Sequence, residues 1–167
     1  MNLSSVKSII IPEGTVAKIR QGETILWQKE TKETIINIID TVGYSDNTRL
    51  STSSGTERTN TGNVTTGYIE LGDVGDIYRT SGVDFRYEKS GLNCLCFYDS
   101  SKTFATWSTY LKRTDSPITM QGISIIISDD GDLTITVLAA ERKGYYIRIT
   151  GYGSGTNLIV TKNQPIE

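Results

Sequence analysis

The sequence contains no histidine. A Ser-His or Cys-His nucleophile pair therefore cannot be built, and most zinc sites are excluded with it. Only two cysteines occur, Cys94 and Cys96. On a strand they point the same way, ~7 Å apart along the chain, too far and too parallel for a strain-free disulfide. They read as two small buried hydrophobes, and free buried thiols fit a chain made in a reducing cytoplasm. Helical periodicity is missing as well: nowhere do apolar residues recur at i, i+3, i+4 and i+7 over two turns, and Leu138 to Arg142 has room for one turn at most. No apolar run reaches the ~18 residues of a membrane span. The N-terminal MNLSSVKSIIIPEG has a short apolar core, but Pro12 and Glu13 follow it directly and no small-residue cleavage site does, so a signal peptide is not expected. A net charge of -2 argues against a nucleic-acid footprint, which needs clustered Lys and Arg.

What remains is a chain of 167 residues, 37% apolar and 22% charged, long enough for one full domain and a small appendage. The stretch that organises it is Leu92 to Trp107, LNCLCFYDSSKTFATW, which reads as strand, tight turn, strand. Leu92, Cys94, Cys96 and Tyr98 fall on one face at period two, and Leu95 and Phe97 on the other. A run apolar on both faces suits an interior strand of a packed sandwich. Asp99-Ser100-Ser101-Lys102 supplies turn chemistry, because Asp and Ser side chains bond their own backbone two residues on.

The flanking sequence predicts further short strands. Ser8–Ile11, Thr15–Arg20 and Thr24–Gln28 form a first unit, followed by the charged break KETKE at residues 29–33. Ile35 to Ile39 is the expected first strand of the main domain. Thr41 to Asn63, polar and rich in Gly, Ser, Thr and Asn, is expected to be a surface loop lying across one sheet. Strands are expected at Val64–Leu71, Ile77–Thr80 and Val83–Glu88, then the central hairpin, then a polar loop over Tyr110–Pro117. In the C-terminal third, Ile123/Ile125/Ile127, Leu133/Ile135/Val137 and Tyr145/Ile147/Ile149 each alternate with polar residues. Gly151 to Gly155 is read as a turn and Asn157 to Thr161 as the closing strand. Strands about ten residues apart with turns between predict an all-β sandwich or barrel.

Candidates for chemistry are few. There is no G-x-S-x-G, and Gly153-Ser154-Gly155 precedes a strand, not the helix that a phosphate cradle needs. Asp129, Asp130 and Asp132 form the one acidic cluster. The flanking strands explain it as a hairpin turn, while a calcium site there would need five or six oxygens, several from elsewhere. Glycoside hydrolysis requires two acids facing each other across a cleft, and no pattern assigns such a pair. No enzyme activity, cofactor or metal is expected. Aromatics are more informative, with nine tyrosines and two tryptophans in a chain with little helix. Tyr44, Trp107, Tyr110 and Tyr152 lie next to loops, where such rings either cap the core with a wet hydroxyl or stack on a sugar. Asn47, Arg113 and Asn157 are at hand to bond sugar hydroxyls. The candidate ligand-binding residues are Trp107, Tyr110, Arg113 and Tyr152.

Two stretches resemble known phage modules. Ile10-Ile11-Pro12-Glu13-Gly14, followed by a β-run, a turn and Thr24-Ile25-Leu26-Trp27, resembles the N-terminal hairpin of many structural proteins of tailed bacteriophages of gut Firmicutes. Phe97-Tyr98-Asp99-Ser100-Ser101-Lys102, with Tyr146-Ile147-Arg148-Ile149 and the Gly-Tyr-Gly after it, is similar to the jelly-roll, carbohydrate-binding-module-like domains of phage tail and fibre proteins. The resemblance implies a virion component, made in the bacterial cytoplasm and often oligomeric, with other virion proteins as partners and neither nucleic acid nor a membrane. Two roles follow as expectations. One is a non-enzymatic tail or capsid-decoration protein, anchored by residues 1–30 and displaying a jelly-roll-like β-sandwich over residues 34–163. The other is a receptor module that binds a host surface glycan. The apolar residues of the first unit, Ile9, Ile11, Ile19, Ile25, Leu26 and Trp27, either dock on the same chain or form the anchoring interface; burying each is worth ~1.5–3 kcal/mol.

Overall fold

The computed structural model describes residues 18–21, 24–28, 34–108 and 110–164. They fall into two compact units, one within Met1–Glu33 and one over Thr34–Gln164. In the first, β1 (Lys18–Gln21) and β2 (Thr24–Gln28) make an antiparallel hairpin, with Ile19 opposite Trp27, Arg20 opposite Ile25 and a register shift between the two pairs. The expected strand at Ser8–Ile11, with Ile9 and Ile11, lies outside the described residues, as does the KETKE break.

The second unit holds β3 (Thr34–Asn37), the one-turn helix α1 (Ile39–Val42), β4 (Tyr44–Leu50), β5 (Glu57–Thr66), β6 (Ile69–Glu70) and β7 (Ile77–Ser81). The single turn α2 (Tyr87–Ser90) follows, then β8 (Leu95–Tyr98), β9 (Phe104–Trp107), β10 (Ile118–Met120), β11 (Ile123–Ile127), β12 (Leu133–Val137), β13 (Tyr146–Tyr152) and β14 (Ile159–Gln164). All pairings are antiparallel. One sheet has the order β10-β11-β12-β7-β14-β3; the other runs β4-β5-β13-β8-β9, with β6 also paired to β13. This is an all-β sandwich in which the chain passes repeatedly from one sheet to the other, as in a jelly roll.

The period-two patterns explain the core. Ile123, Ile125 and Ile127 stand opposite Val137, Ile135 and Leu133 and are buried with them. Val64, Leu95, Phe97, Ile147 and Ile149 come from the other sheet to complete one cluster. β8 is buried on both sides, as its sequence predicts. Leu95 and Phe97 enter the space between the sheets, while Cys96 and Tyr98, with Cys94 just before them, join Leu50 in a second cluster on the outer face. Both thiols are free and buried. Contact with Cys94 and then burial push the Cys96 thiol well above its ordinary range.

Four segments differ from expectation. Thr41–Asn63 is no loop: β4 and β5 are a long hairpin, bulged between Asp46 and Thr48, where Asn47 takes the left-handed conformation at φ 53°. Its threonines favour strands, and β4 is an edge that needs few apolar residues. The expected strand at Val64–Leu71 breaks after Thr66, because Gly67 passes so close to Val42 that a Cβ would lie 1.8 Å from its carbonyl oxygen. β13 continues through Gly151 and Tyr152, and the closing strand lies inside its sheet, between β7 and β3. Val83–Glu88 is irregular, with a single bridge from Asp84 to Tyr152 and then α2. Val83 and Phe85 are buried all the same.

That irregular segment is held by a side chain in place of a ladder. Asn93 is fully buried and donates to the carbonyls of Asp84 (2.9 Å) and Arg86 (2.8 Å), while its own oxygen accepts from Ser90 Oγ and from Asn63 Nδ2. Removing it strands several buried polar groups, each costing about 1–3 kcal/mol. Asn93→Ala is expected to lower stability by about 2–4 kcal/mol in chemical denaturation, and a variant as stable as the parent would show that the segment is held by its apolar residues alone.

Candidate functional site

Two of the four sequence-selected aromatic and basic residues meet. Trp107, at the end of β9, and Tyr110, in the loop after it, pack edge to face with ring centroids 5.2 Å apart. Tyr110 also lies 4.7 Å from Tyr87, over which Lys112 is placed. Both residues are half-buried against the Cys94–Cys96 cluster. Leu111, directly after Tyr110, is fully buried, and a 3-10 turn follows at Arg113–Asp115, so the expected polar loop is anchored to the sandwich. Arg113 pairs with Asp129. Tyr152, 47% exposed, pairs its backbone with Asp84 and sets its ring beside Gly62.

The Asp129–Asp132 turn faces arginines. Arg86 donates to the Asp129 carbonyl and chelates Asp84 through Nε (3.0 Å) and Nη2 (2.6 Å). Gly131, at φ 91°, lets Asp84 approach to a distance that a Cβ would block at 2.3 Å. Among the described residues no group of three or more acids and cysteines is disposed to hold a metal ion. Burial works to raise the Asp84 carboxyl, but the hydrogen bonds and charge of Arg86 outweigh it and hold the group below the usual carboxylate range. Asp132 is moved the other way, by burial and by the charges of Asp130 and Asp84.

A concave feature lies elsewhere on the second sheet. A cavity of about 410 Å³ opens on its outer face, built by the strands β5, β8, β9 and β13 and by the β4–β5, β5–β6 and β8–β9 connections. Tyr98 of β8 forms part of the lining, almost fully buried, with its hydroxyl donating to the Gly55 carbonyl. Burial raises that hydroxyl's pKa above its ordinary value. Gly55 sits in the β4–β5 turn at φ 65°, where a Cβ would lie 2.4 Å from the Phe104 ring and 2.8 Å from the Tyr98 hydroxyl. No other residue type allows the turn to close down on these rings. Phe104 stands edge-on to Tyr98, with centroids 6.1 Å apart.

Tyr68, half-buried between β5 and β6, forms one wall. It meets Tyr98 edge to face at 5.0 Å and Tyr146 at 6.0 Å. The Arg148 guanidinium lies 4.9 Å from its ring centre and the Lys102 ammonium 5.1 Å. Arg148 is an interior residue of β13, its side chain 9% exposed; Nε donates to Thr66 O at 2.9 Å and Nη2 pairs with Glu57. Lys102 comes from the β8–β9 turn, where Asp99 Oδ1 accepts from Ser101 N (2.8 Å) and Thr103 N (2.9 Å). The expected Asp-Ser-Ser-Lys turn is therefore present, and it aims Lys102 at the cavity.

Sequence reasoning named Lys102 as a turn residue and Arg148 within a resembling stretch, but assigned none of the cavity's charged residues to a site. One signal was there: Arg148 is a lone charge among the buried positions of β13, registered opposite Cys96. A cation on an interior strand needs a partner and marks a site. Glu57 and Tyr68 carry no such signal, because only the β4–β5 hairpin brings them alongside. No protein-family model matches the chain, and no curated protein or solved structure matches it. Fold and site together define a β-sandwich with an aromatic, cation-bearing cavity on one outer face.

The Asp84–Arg86 pair makes a pH prediction. A carboxyl whose folded pKa is depressed contributes stability that is present above its unfolded value, ~3.9, and is lost as pH falls through the lower folded value. Asp84→Asn should thus be less stable than the parent at neutral pH and should lose stability less steeply below about pH 4. Thermal denaturation across pH checks this; parallel curves for the two proteins would mean that the pair contributes nothing.

Proposed function

We propose that this is a non-enzymatic virion component of a tailed bacteriophage whose sandwich binds a glycan at the Tyr68 cavity. The cavity carries the binding half of the reading. Aromatic walls formed by Tyr68 and Phe104 offer faces for the C–H side of a sugar ring. Arg148 and Glu57 beside them place a donor and an acceptor for hydroxyls, so a small number of polar groups converge on an apolar pocket, the usual composition of a binding site. The Trp107–Tyr110 pair lies on the same face and extends the aromatic surface. The virion half rests on the resemblance of residues 10–14 and 24–27 to a phage hairpin module. A hairpin at β1–β2 in a unit separate from the sandwich is compatible with an anchor of that kind.

Two experiments test these halves. A glycan array followed by calorimetry should find a saccharide ligand for the whole chain, and Tyr68→Ala should weaken its binding at least about tenfold, the effect of losing one stacking contact worth about 1–2 kcal/mol. Failure to find any saccharide ligand would reject the binding half. Deletion of residues 1–30 should leave a folded sandwich that no longer joins the particle. A truncated chain that still assembles would place the anchor elsewhere, and one that unfolds would make the hairpin part of the sandwich core.

A further inference from the structure

We propose that the Tyr68 cavity selects an acidic saccharide, one whose carboxylate or phosphate is received by Lys102. The inference rests on the glycan-binding reading and adds the charge of the ligand. The chain as a whole is acidic, at -2, yet two cations and one carboxylate line this cavity, so its local balance is positive. Arg148 and Glu57 neutralise one another. Lys102 is left over: among the described residues it forms no ion pair, and the carboxylate nearest in sequence, Asp99, is occupied by the backbone of its own turn. Two other lysines are compensated, whereas Lys89, next to Glu88, like Lys102 forms no ion pair among the described residues. Lys143 is paired with Asp73 and Lys162 with Asp76.

The placement of Lys102 is also specific. Its ammonium lies 5.1 Å from the Tyr68 ring centre and 5.0 Å from that of Tyr146, so two rings hold it over the cavity while its charge is uncompensated. Its backbone is left-handed, φ 62°, a conformation that glycine adopts at less cost than any residue with a Cβ. Glycine would satisfy the turn at less cost, and the lysine there instead sets its ammonium over the two rings. A sugar stacked on Tyr68 would bring an anionic substituent within reach of that ammonium, and a charge-assisted hydrogen bond discriminates far more than a neutral one.

The test titrates the full chain with three probes: a glucuronic-acid oligosaccharide, a sugar phosphate and a neutral glucose oligosaccharide, each in about 0.02 M and about 0.5 M salt. At low salt at least one acidic probe should bind about tenfold or more tighter than the neutral one, with the preference shrinking at high salt. The uronate and phosphate arms identify which anion is received. Lys102→Met should abolish the preference, bringing the affinity for the acidic probe down to that for the neutral one. Lys102→Gly should do the same while relaxing the turn, so that its loss of preference cannot be a folding defect. Equal binding of neutral and acidic probes, or a preference that survives both substitutions, overturns the role of Lys102 and leaves the glycan reading standing. No binding of any saccharide overturns both.

Discussion

The structure depends on one strand being buried twice. β8 supplies Leu95 and Phe97 to the space between the sheets and Cys96 and Tyr98 to the opposite face, so a two-layer sandwich cannot cover it alone. A third layer is improvised from the β4–β5 turn, from Tyr68 and from the aromatics after β9. Tyr98 fixes that layer, because a buried phenol needs a partner and finds the Gly55 carbonyl. The cavity follows from the same arrangement. A turn clamped at Gly55 and a ring at Tyr68 cannot fill the corner between them, and the space left over opens to solvent beside Arg148.

The inner layer was legible in the sequence because burial there is enforced by period-two alternation of large aliphatic residues. The β11–β12 hairpin and the two-faced reading of β8 come directly from it. The long β4–β5 hairpin was not legible, for a physical reason. Residues 64–66, which are buried, read as strand; the part that reads as loop, β4 and residues 57–63 of β5, lies mostly at the surface. An exposed edge hairpin needs no apolar alternation, so in a one-dimensional pattern its polar residues look like loop. Val83–Glu88 failed in the opposite sense. Its alternation is real and its apolar residues are buried, yet it bridges β13 only at Asp84, whose carbonyl Tyr152 N shares with Asn93, and Asn93 takes the Arg86 carbonyl.

The same limit explains the site. Trp107 and Tyr110 are findable as loop-side aromatics, and they do meet. Glu57 and Arg148 are 91 residues apart and are joined only because β5 lies beside β13, a pairing that no local signal announces. Lys102 was visible as a turn residue. Its relation to Tyr68 was not, since the ring is presented from the break at Gly67, where the backbone passes so close to Val42 that only glycine fits. Cavity residues here are the product of three separate close approaches, each requiring glycine or an irregular turn.

Arg148 bears on what the cavity is for. An ion pair drawn out of water regains through attraction little more than it loses in solvation, so the Glu57 contact is weak support for the fold. With Nε held by Thr66 O and Nη2 by Glu57, the guanidinium has one orientation, and Tyr68 is packed under it and edge-on to Tyr98 and Tyr146. The wall's side chains are therefore fixed by contacts within the sandwich itself. Binding a flexible sugar loses entropy on the ligand side, and a receptor that must also order its own side chains loses more. Under the proposed glycan reading, a wall assembled in advance by a cation, a carboxylate and three tyrosines removes the second cost.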